Sequence, residues 1–323
     1  MPSVFPPVLM APGGTFDMAV SALDHGADSV YVGPKGWSRR PAADELDDGE
    51  LTELLAHGRS TGKDIRIAIN VMPCPEEIPA FLRKVEQCAT QGAGGVMICD
   101  PGCIRLVRDH FPDLDIHVSV TAGVFNLEDI QFYREMGANL VVLPYRWGTE
   151  ELNQVKDCPG MLMEAFLFQS QHRGRICPGR CYSSSYFHIR HHKDGADKDH
   201  FVGSASRGGS CYRICRGKWQ LMVGQNTHPD APVLKGSPEL LLHELPDYVA
   251  AGVARFKIPG RERSTRLVAA ITNFYRRTLD HVLAGNDDVS AFTAEWLELK
   301  GRWDRERGRR DDGRIDEAER AAA

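Results

Sequence analysis

Eight short runs rich in Val, Ile and Leu recur along the chain, and most lead into stretches with the apolar spacing of helices. The runs are PPVLMAP, DSVYVG, IRIAINV, GVMICD, DIHVSVT, NLVVLP, MLMEAFLF and, much later, VARFKIP. Near-continuous apolar character marks strands covered on both faces, which is the condition of a parallel sheet. The helical stretches include FDMAVSALDHG, EEIPAFLRKVEQCATQG, PELLLHELPDYVAAG and TRLVAAITNFYRRTLDHVLAG. Several open at Asp, Asn or Thr, which cap helix starts, and several end in Gly, which accepts the left-handed backbone at a helix stop. Eight strand–helix pairs predict an α/β fold of the (β/α)8 TIM-like barrel type. The competing architecture is an open doubly wound sheet, but APGGTFD after the first strand lacks the G-x-G-x-x-G spacing of a dinucleotide site.

One interruption is long. About 80 residues, from Gln169 to Ala250, separate the seventh strand from the eighth, where a loop and one helix suffice. Residues 1–285 therefore read as a single barrel domain carrying an insertion at about 169–250, and residues 286–323 as a C-terminal helix followed by a charged tail expected to be disordered. A loop leaving the C-terminal end of a barrel strand lies on the face where such barrels keep their active sites. The insertion is aimed at that mouth.

It contains Cys177 and Cys181 in RGRICPGRCYSSSYFH, and Cys211 and Cys215 in GGSCYRICRGKW. The other five of the nine cysteines are scattered, and the start MPSVFPPVLMAPGG lacks the pattern of a secretory signal. The expectation is a cytoplasmic chain with reduced thiols and no membrane span, so the two pairs point to metal rather than to disulfides. Four thiolates can hold an iron–sulfur cluster or close a tetrahedral zinc site. Zinc ribbons favour C-x2-C, and both pairs here are C-x3-C, so the spacing leans toward the cluster with zinc as the alternative. His172 is the substitute ligand nearest the first pair. Arg173, Arg175, Arg180, Arg207, Arg213 and Arg216 flank the cysteines and would offset a cluster's charge or bind an anion. Cys99 and Cys103, also x3-spaced, fall on a strand and a helix start and read as packing.

The segments LMAPGGTFDMAVSALDHGADSVYVGPKGWSRR, NLVVLPYRW, MEAFLFQ, GRCYSSSYF, GSASRGGSCYRICRGKW and VARFKIPGRERS together resemble the collagenase-like peptidase family U32, in that family's order, from about Leu9 to about Ser264. The resemblance implies a barrel-like fold and a [4Fe-4S] cluster held by Cys177, Cys181, Cys211 and Cys215. It further implies hydroxylation without molecular oxygen, with a prephenate-like anionic compound as the oxygen donor. Some members act on quinone precursors and work with a second protein of the family; longer members act on RNA. Cys181, Cys211 and Cys215 match family positions directly, the last in the RNA-acting members. The family's first cysteine falls at Gly174 here, and a three-residue shift lets Cys177 serve. Where the family has K-I-E-G-R this chain has KIPGR, and its L-P-R reads LPYR, which moves the arginine to Arg146. No Ser-His-Asp arrangement or H-E-x-x-H motif accompanies the family's peptidase name.

Polar residues at strand C-terminal ends are expected at the barrel mouth: Tyr31, Lys35, Asn70, Asp100, Ser119, Thr121, Arg146, Gln169, Lys257 and Arg261. Asp100 has the alternative role of a helix cap. Glu164 lies within a strand, where a lumenal carboxyl must be paired or act as a proton donor. Glu164, Lys257, Arg261 and Arg146 are thus the candidate catalytic set, with Arg261 suited to bidentate binding of a carboxylate. The formal net charge of -5 supplies no overall pull toward nucleic acid. Between the substrates that the resemblance implies, this favours a small aromatic or quinone precursor, with RNA hydroxylation second and a zinc-stabilised binding protein or a peptidase third.

Overall fold

The computed structural model describes residues 6–40, 42–144, 147–156, 158–170, 190–193, 195, 198–202, 222–227 and 238–306. Its centre is a closed eight-stranded parallel barrel. The strands are β1 (Val8–Pro12), β2 (Ser29–Val32), β3 (Asp64–Ala68), β4 (Gly95–Ile98), β5 (Ile116–Val118), β6 (Leu140–Val142), β7 (Leu162–Phe166) and, after the insertion, β14 (Arg255–Lys257). Each of the eight apolar runs supplies one of them. Going around the ring the order is β1, β14, β7, β6, β5, β4, β3, β2.

Helices α1 (Phe16–Asp24), α2 (Asp48–Thr61), α3 (Ile78–Thr90), α4 (Pro101–His110), α5 (Leu127–Glu135), α6 (Thr149–Val155), α7 (Leu245–Ala250) and α8 (Thr265–Leu283) fill the connections. Their starts are fixed locally. Thr15, Asp47, Asp100, Asn126 and Ser264 each accept a backbone N–H of the first turn, and Asp47 forms a full capping box with Glu50. Outward-facing strand residues such as Leu9, Val30, Ile67, Val96 and Ile98 are buried under the helices in one continuous core.

The stretch PELLLHELPDYVAAG departs from its helical reading. Pro238–Leu240 is strand β13, antiparallel to β8 (Phe168–Ser170), and the helix begins only at Leu245. Leu240, Leu241 and Leu242 are all buried, and Leu240 pairs with Phe168 in the β8–β13 ladder. Pro246 lacks an amide hydrogen and is tolerated only in a first turn, which sets where α7 can start. The β8–β13 pair brackets the excursion, so the chain leaves and re-enters at the C-terminal end of the barrel. Hairpins β9 (Arg190–Lys193) with β10 (Asp199–Val202), and β11 (Met222–Val223) with β12 (Asn226–Thr227), are the described parts in between.

Residues 293–306 are helical and pack back on the barrel. Trp303 lies 4.6 Å from the Phe168 ring and 4.1 Å from the Arg263 guanidinium, and Trp296 donates to the Leu240 carbonyl.

Candidate active site

Side chains alternate along a strand, so residues two apart share the lumen. Asp64, Arg66, Ala68 and Asn70 follow one another in this way on β3 and beyond it, as do His117 and Ser119, Glu164 and Phe166, and Arg255 and Lys257. Most barrel interiors are packed with branched apolar residues. This one carries charge through its depth, and Met10, Tyr31, Ala68 and Met97 form only a small apolar layer.

The N-terminal end is closed by ion pairs. Asp64 Oδ2 accepts from Arg66 Nε at 2.7 Å, from Arg255 Nη1 at 3.0 Å and from the Ser29 hydroxyl at 3.0 Å, and Arg66 Nη1 reaches Asp115 at 2.9 Å. Burial alone would raise the Asp64 carboxyl, but the two arginines hold it below the usual range. This end carries stability, as expected of the face opposite the mouth.

Above it Lys257 Nζ donates to Glu164 Oε1 at 2.8 Å and lies 3.1 Å from Met97 Sδ and 4.1 Å from the centre of the Tyr31 ring. Glu164 is 0% exposed and Lys257 4%. The lumenal carboxyl of the strand is therefore paired. Burial pulls the Lys257 ammonium below its normal range despite the partial offset from Glu164. His117 Nδ1 is 3.8 Å from Glu164 Oε2, and burial together with the Arg66, Arg255 and Lys257 charges keeps the imidazole neutral. Its parity with Ser119 was the sequence signal that could have found it.

Arg261 also approaches Tyr31, with Cζ 5.7 Å from the ring centre. Its Nη1 donates to the Ser38 hydroxyl at 3.0 Å, Ser38 in turn donates to Glu45, and the Gly36 amide also donates to Glu45. Burial raises the Glu45 carboxyl to about 7 and lowers Arg261 to about 10. Among the described residues Arg261 makes no carboxylate ion pair, and its Nε has no hydrogen-bond partner. A buried guanidinium in that state is a ready site for an anion.

Three glycines make the arrangement possible. A Cβ on Gly14 would stand 1.6 Å from the Arg261 carbonyl oxygen, and one on Gly33 would stand 2.3 Å from Nη1 and 2.4 Å from Ser38 Oγ. Gly13 would collide with Ala19 and Val32. The segments APGG, YVGPKGWS and KIPGR are thus parts of one packing unit.

The remaining candidates are placed as follows. Asn70 donates to Ser119 at 3.3 Å, and Ser119 lies 3.1 Å from Thr121, which builds a hydroxyl and amide rim on the β3 and β5 side. Asp100 caps α4. Lys35 is exposed beside Asp47. Cys99 and Cys103 are buried, the first donating to the Asn70 carbonyl. Arg146, His172, the cysteines Cys177, Cys181, Cys211 and Cys215, and the six flanking arginines lie outside the described residues, as does the Gln169 side chain. Among the described residues no group of His, Cys, Asp or Glu could hold a metal ion. The donor set suited to one remains the four thiolates of a segment whose ends meet at the mouth.

That segment also touches the far side of the ring. Lys198, between β9 and β10, is buried with its Nζ 2.6 Å from Glu77 Oε1 and 5.3 Å from the Trp37 ring. Glu77 follows β3, and β3 is four places from β7 around the eight-membered ring, through β14, β1 and β2. Described parts of the insertion thus meet the barrel at two well-separated places, beside β7 and after β3.

The model of peptidase family U32 matches residues 14–306. The tRNA hydroxylation protein P of Escherichia coli (strain K12) is 28% identical over 226 residues, covering 69% of this chain and 46% of that protein. The tRNA hydroxylation protein P1 of Bacillus subtilis (strain 168) is 26% identical over 90% of this chain and 67% of its own length. A 23S rRNA 5-hydroxycytidine synthase of Escherichia coli (strain K12) is 25% identical over 87% of this chain and 40% of its own. The chain therefore spans less than half the length of two of these relatives. A solved U32 peptidase superposes with a TM-score of 0.51 at 12% identity, over 79% of this chain and 92% of that one, a likeness of fold. No helix among the described residues is long and apolar enough to cross a membrane. With the family model matched along most of its length, this chain belongs to peptidase family U32.

Proposed function

We propose that this chain is a cytoplasmic hydroxylase of a nucleobase in RNA, working without molecular oxygen and taking the oxygen from a small anionic donor of the prephenate type. The observation that carries the reading is the pair of buried cations, Lys257 and Arg261, which both approach the Tyr31 ring, at 4.1 and 5.7 Å from its centre. One is neutralised by Glu164 and the other has no carboxylate partner among the described residues, so the site can receive a carboxylate on Arg261 and present an ammonium proton from Lys257. RNA stands ahead of a quinone precursor here because the curated relatives described above are named for tRNA and rRNA hydroxylation. The net charge of -5 does not exclude it, since local arginines can hold phosphates.

In this reading Cys177, Cys181, Cys211 and Cys215 would hold a [4Fe-4S] cluster, which supplies a redox centre or a Lewis acid when bound. The protein's own residues do the rest. Arg261 fixes the donor's carboxylate, Lys257 holds a proton at the reacting oxygen, and Glu164 keeps the ammonium charged until it is needed. A second family member as partner belongs to the quinone variant of this reading.

The test is to delete the gene, grow the cells without oxygen, and profile modified nucleosides and quinones side by side. Loss of a hydroxylated nucleoside that returns with the wild-type gene, and not with Arg261→Met, supports the reading. An intact nucleoside profile with accumulation of an unhydroxylated quinone precursor replaces RNA by the quinone pathway.

A further inference from the structure

We propose that His117 is a positioning residue that keeps a second hydrogen-bond donor ready for Glu164 when Lys257 gives up its proton. Arg66 Nη1 lies 3.2 Å from His117 Nε2, and a guanidinium can only donate. Nε2 therefore accepts, and the proton of the neutral ring is on Nδ1. That N–H faces Glu164 Oε2 across 3.8 Å, about 1 Å beyond hydrogen-bond length. Neither atom has another hydrogen-bond partner, and both residues are fully enclosed. A buried donor and a buried acceptor 3.8 Å apart and left unjoined are each costly, so a small movement of the carboxylate gains a bond.

The surrounding charges say when that movement occurs. Arg66, Arg255 and Lys257 pair with Asp64, Asp115 and Glu164, and Arg261 adds a further cation near Lys257. A charge on His117 would add to that excess of cations, and the Glu164 pairing holds only while Lys257 is charged. Once Lys257 passes its proton upward, Glu164 becomes an unpaired buried carboxylate. His117 Nδ1–H is the donor within reach. Oε2 swings to it, and Lys257 is free to act without stranding a charge below.

This role rests on the hydroxylase reading for the step in which Lys257 gives up its proton, but its test uses no substrate, so either can fail alone. Full-length protein is labelled with 15N-histidine, and the His117 signals are identified by their loss in His117→Phe. In the wild type, long-range 1H–15N spectra are expected to show a neutral Nδ1–H ring that does not titrate between about pH 6 and 8. An Nε2–H ring or an imidazolium would overturn the proposal without any variant. In Lys257→Met the Nδ1 proton should move downfield and exchange with water about tenfold more slowly, and in Lys257→Met with Glu164→Gln it should return toward the wild-type position. A purely structural His117 would leave the resonance unmoved in Lys257→Met, which also overturns the assignment.

Discussion

Arg261 passes so close to Gly33 that a Cβ there would stand 2.3 Å from Nη1. The same Cβ would press on Ser38, the hydroxyl that joins Arg261 to Glu45. Gly33→Ala is expected to displace both and to cost about 1–3 kcal/mol of stability, as overpacking does. Urea unfolding measures the cost. Calorimetric titration with prephenate should show binding weakened about tenfold or more, and unchanged affinity would remove Arg261 from the anion site.

Glu45 makes stability depend on pH in a predictable direction. Its folded-state carboxyl is raised by burial to about 7 from an ordinary 4.5, so the folded state binds the proton more tightly than the unfolded state. The contribution is fully present below about 4.5 and is lost as pH rises to about 7. Glu45→Gln should flatten that part of the stability curve. Melting temperatures recorded at intervals from pH 5 to 8 are the check, and parallel curves for the two proteins would show that Glu45 is not the group responsible.

Glu77 works in the opposite sense. Burial alone would raise its carboxyl, but Lys198 and the Cys74 amide hold it at about 2. Its contribution is present above about 4.5 and lost as pH falls toward 2. Lys198→Met removes the cation beside a buried carboxylate and should cost about 3–5 kcal/mol, much of it recovered in Lys198→Met with Glu77→Gln. Limited proteolysis within residues 171–237, compared with the barrel, shows whether the Lys198–Glu77 contact also protects the insertion. Equal cleavage in wild type and variant would limit the pair to global stability.

The cysteine block makes a spectroscopic prediction. Protein purified without oxygen should be brown and contain iron and sulfide, and Cys181→Ser or Cys211→Ser should abolish both. Cys177→Ser should do the same while His172→Ala does not, which assigns the fourth ligand. A colourless protein with stoichiometric zinc would replace the cluster by a structural metal site.

The eight strands were legible because a strand buried on both faces must be apolar throughout, a condition written in consecutive residues. Asp100 as a helix cap, Cys99 and Cys103 as packing, and the pairing demanded of Glu164 followed from equally local rules. PELLLHELPDYVAAG misled because its leucines fit a helix and a strand alike until β8 lies beside them.

What depends on closure was not legible. Glu45 and Arg261 are 216 positions apart in the chain yet share Ser38, and Lys198 meets Glu77 across 121 positions. His117 looked like one more residue of an apolar strand, and only the barrel's parity sets it beside Glu164. The amino-acid order alone determined which segments are strands and helices, since caps, glycines and apolar runs act over a few residues. Tertiary structure alone decided which buried charges face one another, because that choice depends on ring order and register among strands hundreds of residues apart.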